Sequence, residues 1–174
     1  MRMRDGVAIL VLVLGCAGAR AESPDLGRVA TPDEIATWDI SIDPSGAGLP
    51  AGSGNAHQGA PIFATKCAGC HGETGGGKPN DALVGGAGSL ATDKPVKTVG
   101  SYWPYATTLF DYIRRAMPYP QPNSLGSDDV YALTAYILAL NQLIGENDVM
   151  TAQTLPQVRM PNRDGFIVRF PDRI

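Results

Sequence analysis

The sequence predicts an all-α domain of three or four main helices, with extended segments at its N- and C-terminal ends wrapped over it. Three observations predict it. Apolar residues recur at helical spacing in three stretches, near 58–70, 107–116 and 127–144. The 21 glycines and 14 prolines fall largely between and outside those stretches, so the helices are few and the connections long. Strand character is confined to one short run, residues 166–170.

Residues 1–21 read as an export signal. Arg2 and Arg4 precede an apolar run from Val7 to Leu14, and Ala19-Arg20-Ala21 supplies the small residues of a cleavage site. That run is much shorter than the roughly 20 residues needed to cross a bilayer, so no membrane span is expected and the mature protein is placed in the periplasm. Cys16, in Val13-Leu14-Gly15-Cys16, offers an alternative, since the run loosely resembles a lipobox whose cysteine would carry a lipid anchor. Losing Arg2, Arg4, Arg20 and Asp5 with the signal leaves 11 basic and 16 acidic residues, moving the net charge from -3 to -5. Such a surface argues against nucleic acid and favours encounter with a partner presenting a basic patch.

Residues 22–54 read as an extended arm, punctuated by Pro32, Pro44 and Pro50 and by the glycine-rich run Ser45–Gly54. Within it Thr31-Pro32-Asp33-Glu34 starts a short helical turn ending near Trp38, with proline at the first helical position and acids in the first turn. Residues 55–145 form the expected domain. Its first helix runs from about Gln58 to Cys70, with Asn55 or His57 near the cap, because Pro61 is harmless only in a first turn. Residues 72–100 show no sustained period and read as a loop moulded over something flat.

A second helix covers Thr107–Ala116, with Leu109, Tyr112, Ile113 and Ala116 on one face, and Pro118 forces Met117 out of helical geometry. The last is capped by Ser127, has Asp128 and Asp129 at its positive end, and carries Val130, Leu133, Ile137, Leu140 and Ile144 at helical spacing until Gly145 stops it. Residues 146–174, with Pro156, Pro161 and Pro171, read as a second wrapping segment.

Cys67-Ala-Gly-Cys70-His71 carries the chemistry. Two thiols three residues apart, followed at once by an imidazole, fit covalent haem attachment: the sulfurs form thioethers and the histidine ligates iron. On a helical turn these positions share one face, so all three meet the same macrocycle. A thioredoxin-like redox pair needs strands that the neighbourhood lacks. Zinc needs four ligands, and two cysteines and two histidines remain after signal removal, with His57 unrelated in position. A disulfide across three residues constrains little and leaves His71 unexplained. Gly72–Lys78 imitates a phosphate-binding loop until Pro79 stands where Ser or Thr must hold magnesium.

The pattern Gly59-x3-Phe63-x3-Cys67-x2-Cys70-His71, with Tyr136 on the last helix, resembles class I cytochrome c. Gly59 lets two helices cross closely, and Phe63 and Tyr136 fill the space beside the crossing. Pro61 departs from the family, which keeps a helix former there. The resemblance implies one haem c, with the carbonyl of Pro79 accepting the free ring N–H of His71, and Met117 as the second axial ligand. Met160, Met150, His57 or an open position are the competitors for that place. Trp103 and Tyr102 are candidate hydrogen-bond donors to a haem propionate, and Arg114 and Arg115 candidate counter-charges.

A narrower likeness covers Thr31–Asp39, Gly100–Pro118 and Met160–Phe166. These segments resemble the cytochrome subunits of bacterial sulfite dehydrogenases and of the Sox-pathway sulfane dehydrogenase. The resemblance implies a molybdenum-containing partner subunit that oxidises sulfite or a sulfane sulfur, with a downstream cytochrome or oxidase as acceptor. The expected role is outer-sphere electron transfer, the alternatives being a free shuttle between respiratory complexes and a haem enzyme with an open sixth site.

Overall fold

The structure is a computed structural model that describes residues 26–167; the expected export signal, Cys16 and the end of the expected 166–170 strand lie outside the described residues. The chain divides into two compact units that meet between Asp39 and Ile40.

In the first unit, helix α1 (Pro32–Trp38) begins where proline and acids foretell it. Thr31 caps it: its hydroxyl accepts from the Glu34 N–H, and the Glu34 carboxylate accepts in return from the Thr31 N–H at 2.9 Å. Arg28 closes an ion pair on the same carboxylate.

The second unit is built on α2 (Ala56–Lys66), α3 (Ala68–His71), α4 (Ala106–Ala116) and α5 (Ser127–Leu140), with a two-residue antiparallel pair, β1 (Ser53–Gly54) and β2 (Met150–Thr151). Helix α2 starts at Ala56, two residues earlier than Pro61 alone suggests. A reciprocal cap between Asn55 and Gln58 sets the start and leaves Pro61 inside the helix. The cost is tempered by position: Pro61 denies a partner only to the His57 carbonyl, on an exposed part of the helix that water reaches. The helix also stops short of the expected Cys70. Cys67 leaves helical geometry, with φ −122° and ψ −38°, and becomes the cap of α3.

Helix α5 is the centre of the core. Val130, Tyr131, Leu133, Ala135, Ile137 and Leu138 on it are all buried, as are Phe110 and Ile113 on α4 and Phe63 on α2. Gly59 makes the α2–α5 crossing possible, since a β-carbon there would stand 2.0 Å from the Ala132 carbonyl oxygen. Beside the crossing the Phe63 and Tyr136 rings meet at 5.2 Å.

The ends of α5 differ from the sequence reading. Gly126 occupies the N-cap, with Ser127 already the first helical residue. At the other end Asn141 stops the helix before Ile144 and Gly145, because its amide nitrogen donates to the Ile137 carbonyl at 2.9 Å and to the Leu83 carbonyl at 3.1 Å. Its oxygen accepts from Gly85 N–H at 3.0 Å, which ties the long loop to the helix end.

Residues 40–54 run along α4 and α5: the Tyr131 hydroxyl donates to the Pro50 carbonyl at 2.9 Å and Ser53 N–H donates to Asp128 at 2.7 Å. The arm pairs with the tail through β1 and β2, Ser53 opposite Thr151 and Gly54 opposite Met150. That pair is the strand structure present among the described residues; Phe166 and Ile167, expected to begin a strand, are irregular.

Candidate haem site

The break at Cys67 turns the chain so that both cysteines and His71 belong to one tight turn. The N–H groups of Cys70 and His71 both donate to the Cys67 carbonyl, at 3.1 and 3.0 Å. Cys67 is half-buried and Cys70 exposed, and neither is in a disulfide. Burial pushes the Cys67 thiol up to about 11, with the Lys66 cation pulling weakly the other way. The thiol is therefore neutral at physiological pH before it is modified.

The loop that follows folds back beneath His71. Gly77 N–H donates to the His71 carbonyl at 2.8 Å, Asn80 N–H to the Cys70 carbonyl at 2.9 Å, and Leu83 N–H to the Gly75 carbonyl at 2.8 Å. This brings the Asp81 carbonyl to 2.8 Å from His71 Nδ1. A carbonyl only accepts, so Nδ1 carries the proton and Nε2 presents its lone pair. The orienting partner is thus Asp81 and not Pro79. The cis Lys78–Pro79 bond and the positive φ of Lys78, 81°, belong to the bend that precedes Asp81.

Cys67, Cys70 and His71 form one wall of a cavity of about 250 Å³. Leu109 and Ile113 of α4 and Leu133 and Ile137 of α5 form its apolar base, and Met117 lines it from the end of α4. Met117 is placed there because the helix ends on it: its backbone is extended, φ −121° and ψ 145°, before Pro118. Leu83 and Val99 of the long loop also line it, in keeping with a loop moulded over something flat. The donor set fits a haem c: two sulfurs and an imidazole on one wall, a thioether among the other lining groups, and few charges between.

Trp103 lines the cavity, its ring edge-on to Tyr112 at 5.7 Å. Tyr102 does not. Its ring is held by Phe166 at 5.3 Å and by the Lys97 ammonium at 5.1 Å, so it is corrected from a haem contact to a neighbour of one. Met160 and Met150 are packed in the core, away from the cavity lining. His57 bonds Asn147 at 3.2 Å, and Arg115 pairs with Asp111 at 2.7 Å; neither they nor Arg114 line the cavity. Tyr112, Tyr119 and Leu125 are lining residues that sequence reasoning did not assign to the site. The position of Tyr112 on the same face as Leu109 and Ile113 is the signal that was available.

Residues 56–141 match the cytochrome c family. The chain belongs to that family, with a class I fold and covalently bound haem c, and is an electron-transfer protein. It is similar to a chain in the crystal structure of the sulfane dehydrogenase SoxCD from Paracoccus pantotrophus, at 44% identity and a TM-score of 0.77, covering 86% of this chain and 73% of that one. No curated protein sequence matches the chain. Among the described residues no helix is long and apolar enough to cross a membrane.

Proposed function

We propose that this chain is the periplasmic, electron-accepting cytochrome of a molybdenum-containing sulfite or sulfane dehydrogenase, passing electrons to a downstream cytochrome or oxidase. The observation that carries this reading is the reach of the SoxCD likeness: it covers 86% of the chain, whereas the general family match covers residues 56–141. Arm and tail, which a general cytochrome does not need, are part of what is shared.

Bound haem c supplies reversible one-electron exchange at iron. Cys67 and Cys70 would hold it through thioethers, and the His71 Nε2 lone pair would ligate its iron. The Asp81 carbonyl, by accepting from Nδ1, fixes the ring and raises its basicity. The Met117 thioether would be the second protein ligand, a soft donor that favours the reduced state and raises the potential. Leu109, Ile113, Leu133 and Ile137 exclude water from the macrocycle face. With His71 and Met117 both engaged at iron, sulfur chemistry would belong to the partner, and this protein would accept, hold and release an electron.

Two measurements test the reading. The oxidised protein is expected to show the Met-to-iron charge-transfer band at the red end of its spectrum. Met117→Ala abolishes it and lowers the midpoint potential, while Met160→Leu keeps both. High-spin features with no such band in the unaltered protein favour the open-site enzyme instead. Reduction by sulfite or a sulfane substrate is expected only with the molybdenum subunit present; equal reduction without it overturns the partner assignment.

A further inference from the structure

The tail segment Met160–Phe166 lies beyond residues 56–141, the span shared with cytochromes in general. It is nonetheless fastened to the segment that brings Trp103 into the cavity. Met160 anchors it, 1% exposed in the core. Asn162 then donates from Nδ2 to the Tyr102 carbonyl at 2.8 Å, the bond directly before Trp103. Phe166 meets the Tyr102 ring edge-on at 5.3 Å, and the Arg163 guanidinium lies over Tyr105 at 4.4 Å, so residues 102 and 105 are gripped on either side of Trp103. The tail turns tightly to do this: Arg163 N–H donates to Met160 and Gly165 N–H to Asn162, at 3.1 and 3.2 Å. A β-carbon on Gly165 would stand 1.9 Å from Asn162 Oδ1, so only glycine leaves the Asn162 amide where it bonds Tyr102.

We propose that this segment is a clamp that holds Trp103 against the haem, with Asn162 as the positioning residue, and that it thereby helps set the reduction potential. Among the described residues Trp103 makes no side-chain hydrogen bond; it rests on the Tyr112 ring and against the apolar core, with its backbone gripped on either side. A ring held flush keeps water from the macrocycle, and water stabilises the more highly charged oxidised state. Loosening the clamp therefore lowers the potential without touching either axial ligand. The inference rests on the reading of the cavity as the haem site.

Trp38 and Trp103 are the two tryptophans of the chain, and Trp38 is 85% exposed in the other compact unit. In the haem-loaded full chain with Trp38→Phe, the single indole N–H resonance reports Trp103, displaced by the haem ring current in the reduced state. Asn162→Ala is expected to return that resonance most of the way to its free position and to move the midpoint potential negative. Gly165→Ala adds one methyl and no polar group, and is expected to do the same by pushing Asn162 aside. An indole resonance and a potential both unchanged in a folded variant overturn the clamp. Protein purified without covalent haem overturns the haem reading itself, a result distinct from either.

Discussion

At the scale of single residues, two positions decide whether the haem compartment exists. Gly59 is the first. The oxygen that a β-carbon would strike, 2.0 Å away, is the Ala132 backbone, which has no side-chain freedom with which to give. Gly59→Ala is expected to force α2 and α5 apart and to cost about 3 kcal/mol, the upper part of the overpacking range, measured by denaturant unfolding of the haem-loaded protein. A β-carbon on Gly54 would likewise stand 2.3 Å from the Ala132 nitrogen, so both glycines serve one small-residue contact. His71 is the second. Its thiol neighbours and its own identity are plain in Cys67-Ala-Gly-Cys70-His71, but its carbonyl partner is not. Every residue owns a carbonyl, and which one reaches Nδ1 depends on the path of the loop; Pro79 marked the right bend and Asp81 supplies the oxygen. Tyr102 failed for a related reason, since its ring direction is set by Phe166, far along the chain.

At the scale of elements, helix ends were harder to read than helix faces. Leu109 and Ile113 of α4 and Val130, Leu133 and Ile137 of α5 are buried where spacing puts them, but burial reaches further round both helices, to Phe110, Tyr131, Ala135 and Leu138, and Tyr112 is exposed. The ends depend on competing local bonds: the Asn55–Gln58 cap overrides Pro61, and the Asn141 amide ends α5 before Gly145 can. Asn55→Ala is expected to destabilise the haem domain by about 1 kcal/mol through loss of that cap, read as a lower denaturation midpoint. The cap of α1 makes a separate, pH-dependent contribution. The Arg28 guanidinium, with help from the Thr31 N–H, holds the Glu34 carboxyl down from 4.5 to about 2. A carboxyl lowered on folding stabilises the helix above its ordinary range, so the contribution is full above 4.5 and is lost as pH falls through about 2. The helical carbon shifts of residues 32–38 are expected to fade over that interval, and to do so less in Glu34→Gln, which starts without the charge.

At the scale of the whole molecule, charge and chain path matter most. The chain carries a net charge of -3, so the rate of electron uptake from a partner with a basic face is expected to fall as ionic strength rises. A rate flat from low to physiological salt would mean that the docking faces are apolar. The all-α architecture and the attachment motif were both legible in advance, because periodicity and a fixed spacing are local properties. The meeting of arm and tail was not, because β1 and β2 have two residues each and lie nearly a hundred positions apart. Their pairing has a topological consequence. Cys67, Cys70, His71, Trp103 and Met117 all sit on the stretch of chain that this small ladder closes off, like keys on a ring behind its clasp. Unravelling that begins at either terminus must therefore part Ser53 from Thr151 and Gly54 from Met150 before it can reach the iron-binding groups, so loosening the tail beyond β2 can retune the potential while those groups stay in place.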